Sequence, residues 1–348
     1  MGDVFFLLPD LFDSGWARQV SLLAEPGRPW TAAVFSATGD GPLTPEFRAS
    51  GLTVLSQLGR APKDLRGWLA LRWLPPTPDR GLVHVFGLRT LRRLGVAAAG
   101  IPRRVVVSLT GHERLTWLDR RFLRPVHRVL VPHGTAADRL LAQGVPGDRV
   151  EVVPPAVAAA PAAPDRAAVG VAPDTPLAMT VARLDDYHRL SDAVWSFEFI
   201  HLSDPSTRLW VVGDGPARPR LELFSRQLAP EGSNIVFAGR RADAPGLIGA
   251  ADVAFLPHRT GGATAALEAM AAGVPVVAAD TPDLAAVVRD GVNGVLVPTA
   301  SPPATAQQLR RFLFDADLRA QFGEAGRRVA REYSVERLTE RMTAIYRA

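Results

Sequence analysis

Short apolar runs rich in β-branched residues alternate along the chain with longer stretches whose apolar positions recur at helical spacing. Buried strands of a parallel sheet give such runs, and the helices that connect them give the amphipathic stretches. In the first half, the pattern predicts strands at Val4–Leu8, Thr31–Phe35, Thr53–Leu55, Leu82–Phe86, Arg104–Leu109, Arg128–Val131 and Val150–Val153. It predicts helices at Gly15–Ala24, Lys63–Leu74 and Thr135–Gln143, the last ending at Gly144.

The alternation stops at Pro154-Pro155-Ala156 and resumes after an Ala- and Pro-rich stretch that extends to about Pro176. Such a composition is typical of a semi-stiff linker between domains. Beyond it, strands are predicted at Leu177–Val181, Arg208–Val212, Ile235–Ala238, Val253–Leu256, Val274–Ala278 and Gly294–Val297, and a last amphipathic helix at Ser334–Ala348, with Ser334 as its N-cap. The sequence therefore predicts an α/β protein of two Rossmann-like, doubly wound parallel-sheet domains facing a cleft.

The composition narrows the class of protein. A length of 348 residues suits two domains, and 47% hydrophobic with 22% charged residues excludes a disordered or fibrous chain. The absence of cysteine excludes disulfides, thiolate metal sites and cysteine nucleophiles. Because no apolar run is long enough for a membrane span and Met1–Pro9 lacks a secretory leader, we expect a cytoplasmic protein.

The positive charge is spread along the chain. The net charge is +5, and Lys63 is the only lysine beside abundant, scattered arginine, so we expect no nucleic-acid partner. An anionic substrate or membrane surface suits this charge better. The basic amphipathic stretch Lys63–Leu74 either lies on the inner face of a membrane as a peripheral contact or packs against the sheet.

The most informative segment extends from Ala251 to Pro298. An apolar strand ends at Pro257, Gly261-Gly262 form a loop, and a helix begins near Thr264 and ends at Gly273. Glycines let a backbone approach a ligand closely, and a helix N-terminus attracts anions, so phosphate is the expected guest. Glu268, one turn into the helix, could accept both hydrogen bonds of a ribose diol. The alternative is a plain turn followed by a solvated acid.

Two further features follow predicted strands. Arg183 lies just beyond Leu177–Val181, where a guanidinium could hold a diphosphate through two parallel hydrogen bonds. Gly213 and Gly215 form a Gly-x-Gly turn after Arg208–Val212, which by itself is usually structural.

In this order, the pieces resemble the second half of a retaining GT-B glycosyltransferase of the glycogen-synthase-like kind, glycosyltransferase family 4. The matching segments are Val181-Ala182-Arg183-Leu184, Val212-Gly213-Asp214-Gly215-Pro216, Phe237-Ala238-Gly239, Ala251-Asp252-Val253, Leu267–Val277 and Asp290–Val297. The first half matches more loosely, at Val83–Gly87, Val129–Val131, Val150–Pro155 and Gly15. The resemblance implies an acceptor-side domain of residues 1–155 completed by a helix at 334–348, and a nucleotide-sugar domain of residues 156–333.

The resemblance also implies roles for single residues. Arg183 would bind the donor diphosphate and Glu268 the ribose hydroxyls, both as catalytic residues, while the loop would hold the diphosphate and sugar through backbone groups. The other implied donor-side residues are Gly15, Gly213, Gly239, Gly261, Gly262, Ala263 and Thr264. Members of the family are usually metal-independent, so we expect no cofactor beyond the nucleoside-diphosphate sugar and no metal ligand.

The chain departs from the family pattern at four places. Thr260 stands where a first glutamate precedes Glu268, and His188 where a lysine follows Arg183. Ser14 replaces a loop glycine, and the expected histidine of the first domain is matched best by His112, two residues after Thr110. We interpret His112 as the catalytic histidine, with a surface histidine near a loop as the alternative, and His84 as a core residue.

Three hypotheses follow. The first is a retaining hexosyltransferase that moves a sugar from a nucleoside-diphosphate donor to a hydroxyl of a glycan or lipid-linked precursor. The second, favoured by Thr260 and His188, is a catalytically impaired protein that binds a nucleotide or glycan as a subunit. The third is a nucleotide-sugar epimerase, which needs a pair of acid and base carboxylates that the sequence does not offer.

Overall fold

The computed structural model describes residues 2–12, 14–56, 81–97, 104–161, 166, 170–185, 188–229 and 234–348. The predicted helix Lys63–Leu74 and Asp13 lie outside these residues. The chain divides into two compact units: unit 1 comprises Met1–Pro155 and Val335–Ala348, and unit 2 comprises Ala156–Ser334.

Unit 1 contains a seven-stranded parallel sheet in the order β3-β2-β1-β4-β5-β6-β7. Its strands are β1 (Val4–Leu8), β2 (Ala32–Ser36), β3 (Thr53–Leu55), β4 (Leu82–Phe86), β5 (Arg104–Ser108), β6 (Arg128–Val131) and β7 (Val150–Val152). Its helices are α1 (Gly15–Ala24), α2 (Thr44–Ala49), α3 (Leu88–Ala97), α4 (Trp117–Leu123), α5 (Gly134–Ala142) and, from the end of the chain, α13 (Val335–Arg347). The order reverses between β1 and β4, as in a doubly wound fold.

Helix α13 packs into unit 1 through its last turn. The Tyr346 hydroxyl lies 2.6 Å from Nδ1 of the buried His84 in β4, and the Tyr346 ring meets Trp30 edge-on at 5.1 Å between centroids. The other nitrogen of His84, Nε2, lies 2.8 Å from the Ser108 hydroxyl. Both polar ends of His84 are therefore satisfied inside the core, which agrees with its interpretation as a core residue.

Unit 2 contains a six-stranded parallel sheet in the order β10-β9-β8-β11-β12-β13. Its strands are β8 (Leu177–Val181), β9 (Arg208–Val212), β10 (Ile235–Gly239), β11 (Val253–Leu256), β12 (Val276–Ala279) and β13 (Val295–Val297). Its helices are α6 (Leu190–His201), α7 (Arg218–Leu228), α8 (Ala244–Leu247), α9 (Ala263–Ala272), α10 (Pro282–Ala285), α11 (Pro302–Phe314) and α12 (Ala316–Glu332). Successive residues of each strand enter two different apolar clusters, so both faces of the sheet are covered.

The predicted α/β architecture of two doubly wound parallel sheets is confirmed, because fully buried strands leave an apolar run that the sequence shows directly. The predicted linker is wrong. Val157 and Val171 are buried in the core of unit 2, and the Val157 amide donates to the Tyr333 carbonyl at 2.9 Å. Arg166 donates to the carbonyl of Thr175 at 2.9 Å, so this stretch is anchored on unit 2 at several points, while Ala158, Ala159 and Pro161 are exposed.

Candidate functional site

The candidate site lies in unit 2, where the strand order reverses between the neighbouring strands β8 and β11. Ligands of open α/β sheets bind outside the carboxyl ends of the strands at such a switch point. Arg183, Asp185 and His188 follow β8, and His258, Thr260 and the glycine loop follow β11. The sheet thus brings together two chain segments that are far apart in sequence.

Arg183 carries the positive charge on the β8 side. Its Nε lies 3.7 Å from Oδ2 of Asp185, and 38% of its side chain is exposed. The other oxygen of Asp185, Oδ1, lies 3.8 Å from Nε2 of His188. The half-exposed guanidinium carries a positive charge and a planar fork of N–H donors, a geometry that matches the oxygens of a phosphate.

Two imidazoles join the loops that follow β8 and β11. The rings of His188 and His258 lie 4.7 Å apart between centroids at an interplanar angle of 55°, and neither Nδ1 has a hydrogen-bond partner. Burial lowers the pKa of His258 to about 3, with a smaller contribution from His188. Burial also lowers the pKa of His188, although the Asp185 carboxylate opposes this shift. Both rings are therefore neutral at pH 7, and His188 does not supply the charge of a lysine.

The glycine loop leads directly into α9. Gly261 and Gly262 both have positive φ angles, 71° and 86°, and α9 begins at Ala263 without a side-chain N-cap. A Cβ on Gly262 would lie 2.9 Å from Cγ of His258, whereas a Cβ on Gly261 would meet nothing within 4 Å. The chain turns tightly over His258 and presents an uncapped helix N-terminus, which attracts anions. Thr260 and Thr264 are half-buried beside this turn.

Glu268 is the sixth residue of α9 and is half-buried. The helix begins at Ala263, one residue before the expected start, so Glu268 lies one turn into it as the sequence predicted, and the alternative of a solvated first-turn acid is wrong. The loop before β13 supports the same helix: the Asn293 amide donates to Sδ of Met270 at 3.6 Å and to the Val287 carbonyl at 3.0 Å.

Gly213 and Gly239 hold the neighbouring loops close together. The Gly213 amide donates to the Gly239 carbonyl at 2.8 Å, and the φ of Gly213 is 138°. A Cβ on Gly213 would lie only 1.8 Å from the carbonyl oxygen of Ala182, next to Arg183. Only glycine fits there, so Gly213 determines how closely the loop that carries Arg183 packs. At Gly239, which has a φ of 71°, a Cβ would lie 3.2 Å from Nη1 of Arg218.

Gly15 and His112 lie in unit 1. Gly15 is the first residue of α1, and the Ser14 hydroxyl accepts a hydrogen bond from the Ala17 amide at 3.2 Å. The serine that replaces a family glycine therefore serves as the N-cap. His112 is exposed in the loop after β5 and accepts a hydrogen bond at Nδ1 from Arg139 at 3.1 Å.

The sequence motifs assigned no role to His258, although it lies in the informative segment from Ala251 to Pro298. The available signal was a polar residue directly after an apolar strand and Pro257. Thr281, which follows β12, shows the same pattern: it is buried and its hydroxyl has no partner.

Within the described residues, no group of three or more His, Cys, Asp or Glu side chains is placed to hold a metal ion. In the same part of the chain, no helix combines the length and apolarity needed to cross a membrane.

Comparison with known proteins identifies the family. The family model described as "Glycosyl transferases group 1" matches residues 163–329, which include every candidate residue of unit 2. The D-inositol 3-phosphate glycosyltransferase of Xylanimonas cellulosilytica is 31% identical over 302 residues, covering 80% of this chain and 68% of that protein. The chain belongs to the group 1 glycosyl transferases.

Two other similarities define how far this assignment extends. The putative glycosyltransferase EpsD of Bacillus subtilis is 31% identical over 145 residues, which cover 41% of this chain and 38% of EpsD, so the chain spans well under two thirds of that relative. Anabaena Alr3699/HepE, crystallised with UDP and glucose, matches with a TM-score of 0.85 at 18% identity, covering 99% of each chain. This group 1 glycosyl transferase therefore has the GT-B fold, as its sequence motifs predicted.

Proposed function

We propose that this group 1 glycosyl transferase moves a hexosyl group from a nucleoside-diphosphate sugar to a hydroxyl of a glycan or lipid-linked acceptor, with retention of configuration. The observation that carries the proposal is the pairing, at one switch point, of the half-exposed Arg183 with the uncapped N-terminus of α9. A guanidinium and a helix N-terminus both stabilise phosphate oxygens, and a departing diphosphate gains negative charge in the transition state.

Each candidate residue of unit 2 has a role in this proposal. Arg183 binds the diphosphate, and the backbone of Gly261, Gly262, Ala263 and Thr264 holds the diphosphate and sugar. Glu268 accepts the ribose hydroxyls. Thr260 and His188 contact the donor as neutral groups, while Gly213 and Gly239 shape the loops. In unit 1, Gly15 stays a predicted donor-binding residue and His112 a predicted catalytic residue.

The proposed reaction needs neither a metal nor a protein nucleophile. The acceptor oxygen attacks the anomeric carbon from the face that the diphosphate leaves, and the departing diphosphate oxygen takes the acceptor's proton. The protein then contributes orientation and positive electrostatic potential. We also assign the reaction to the cytoplasm, which agrees with a cysteine-free chain that needs no oxidising compartment.

A thermal-shift titration tests the donor site. UDP, GDP, ADP and their hexose conjugates are titrated against the parent, Glu268→Ala and the control Glu324→Ala, an exposed acid of α12. UDP-glucose comes first, because HepE was crystallised with UDP and glucose. At about a hundred times its dissociation constant, a ligand stabilises the folded state by roughly 2.7 kcal/mol.

We expect one nucleotide family to stabilise the parent and Glu324→Ala but not Glu268→Ala. Equal stabilisation of Glu268→Ala, or none of any variant, contradicts the proposed site. If the nucleotide binds but no sugar is transferred to any acceptor of a broad panel, the second candidate, a nucleotide-binding subunit, is favoured. The neutral His188 and Thr260 are the observations that motivate this candidate.

A further inference from the structure

The outward face of α4 carries one tryptophan and three arginines. Trp117 is 77% exposed, and Arg120, Arg121 and Arg124, which follow it by three, four and seven residues, are all exposed. In a helical backbone these positions are neighbours on one face, and Arg124, the C-cap residue, keeps helical dihedral angles. The exposed Leu118, at 39%, lies next to Trp117 in the chain.

The single carboxylate of α4 is turned away from this face. Asp119 is fully buried and accepts hydrogen bonds from Nε and Nη2 of Arg92 in α3, the latter at 2.7 Å. The hydrogen bond from Arg92 is the main cause that lowers the pKa of Asp119 to about 2. The pair fixes α3 beside α4 and leaves the outward face of α4 without negative charge.

Helix α3 extends the positive charge. Arg89 and Arg93 lie on it, three residues before and one after Arg92, and residues 81–124 contain nine arginines against two acids, Glu113 and Asp119. Glu113 is engaged as well, since its carboxylate accepts hydrogen bonds from the amides of Thr110 and Gly111 at 3.0 and 2.8 Å. Both acids of this segment are thus held by the protein itself.

We propose that the outward face of α4 (Trp117, Arg120, Arg121 and Arg124) docks unit 1 on a bilayer of anionic phospholipids. Arginines near such a bilayer are attracted to its phosphates, and tryptophan favours the interface between headgroups and acyl chains. On an exposed tryptophan surrounded by arginines, the arginines match the phosphates of the headgroups and the tryptophan matches the boundary with the acyl chains. Single-stranded nucleic acid is less suited, because successive bases stack on several aromatic rings and α4 exposes only Trp117.

Unit 2 offers a matched contrast. Helix α6 exposes Trp195 and Phe199, at 48% and 42%, and its C-cap residue Leu202 is 81% exposed, but the helix contains no lysine or arginine. If exposed apolar area alone caused membrane binding, α6 would bind as well as α4. The proposal requires the combination of tryptophan and arginine, which α4 has.

Vesicle co-sedimentation of the full chain tests the proposal. Vesicles of phosphatidylcholine with about one quarter phosphatidylglycerol are compared with phosphatidylcholine alone. Each arginine near an anionic surface contributes about fivefold in affinity, so the triple variant R120Q/R121Q/R124Q should bind roughly a hundredfold more weakly. The control R226Q/R328Q/R331Q removes the same charge from exposed positions of unit 2 and should stay within about twofold of the parent.

A second comparison isolates the tryptophan. Trp117→Ser should weaken binding by roughly tenfold, and Trp195→Ser should leave it unchanged. Brominated lipid should quench fluorescence of the parent more than that of Trp117→Phe. Thermal unfolding of all variants checks that they fold. Binding of the parent to the anionic vesicles should be weaker in about 0.5 M salt than in about 0.15 M.

Several results would overturn the proposal. These are equal binding to neutral and anionic vesicles, an unchanged affinity of R120Q/R121Q/R124Q, or equal losses for Trp117→Ser and Trp195→Ser. Tighter binding of the same surface to a single-stranded RNA oligonucleotide than to vesicles would assign the surface to nucleic acid instead. None of these measurements depends on a glycosyl donor.

Discussion

Acid should destabilise unit 1 through one buried histidine. His84 is 2% exposed in β4, and burial lowers its pKa to about 3. In the unfolded chain the same ring has a pKa near 6.5. As the pH falls below about 6.5, His84 binds a proton in the unfolded state but not in the folded state. The stability that neutral His84 contributes is therefore complete above this pH and is lost progressively down to about pH 3.

The size of the effect follows from these two values. Between about pH 7.5 and about pH 5.5, one such histidine removes roughly 1.4 kcal/mol of unfolding free energy. His258 in unit 2 has the same lowered pKa and should remove a similar amount. His84→Gln costs stability at every pH, because it disturbs the contacts with Tyr346 and Ser108, but it abolishes the acid-dependent part.

Urea unfolding at about pH 7.5, 6.5 and 5.5, followed by circular dichroism with each transition fitted separately, measures this difference. We expect His84→Gln to lose about 1.4 kcal/mol less than the parent over this range in the transition of unit 1, and the double variant H84Q/H258Q to show a similar reduction in the transition of each unit. His112→Gln, which alters an exposed histidine, is the control and should match the parent. Parallel losses in the parent and His84→Gln would refute the reasoning.

Two further predictions concern the loops. Gly213→Ala should lower the unfolding free energy of unit 2 by more than about 2 kcal/mol, because the new Cβ would clash with the Ala182 carbonyl. Gly261→Ala, where φ is positive but the space is open, should lower it by about half as much, and thermal denaturation of both variants measures the difference. Equal costs would contradict this account. Ser14→Ala should cost about 1 kcal/mol through loss of the α1 N-cap, while Ser14→Thr should restore most of it; a neutral Ser14→Ala would show that the cap contributes nothing.

The strands and the glycine loop could be predicted because their causes are local. A strand buried on both faces must be apolar along its length, and Gly261-Gly262 adopt backbone angles that other residues avoid. The packing of the stretch after Pro155 could not be predicted, because its alanines and prolines are typical of linkers. The stretch is held on unit 2 by Val157 and Val171, whose burial depends on distant parts of that unit.

The chemical environment of the candidate site was harder to predict than its position. Arg183 and Glu268 were found from motifs, but the neutral state of His188 is caused mainly by burial. Its ring packs beside His258, which follows another strand of the sheet. Similarly, the positive outward face of α4 depends on Arg92 turning Asp119 inward. In the sequence, Asp119 reads as an ordinary surface charge beside the arginines.

The position of α13 has a consequence for synthesis. The ribosome produces β1 to β7 first and α13 last, with the whole of unit 2 between them. Until Tyr346 arrives, His84 and Trp30 lack the partner that covers them. The sheet of unit 1 therefore stays partly uncovered while unit 2 is being synthesised. Unit 2 is continuous in sequence and needs no later segment to complete its core, whereas the core of unit 1 is complete only once α13 has joined it.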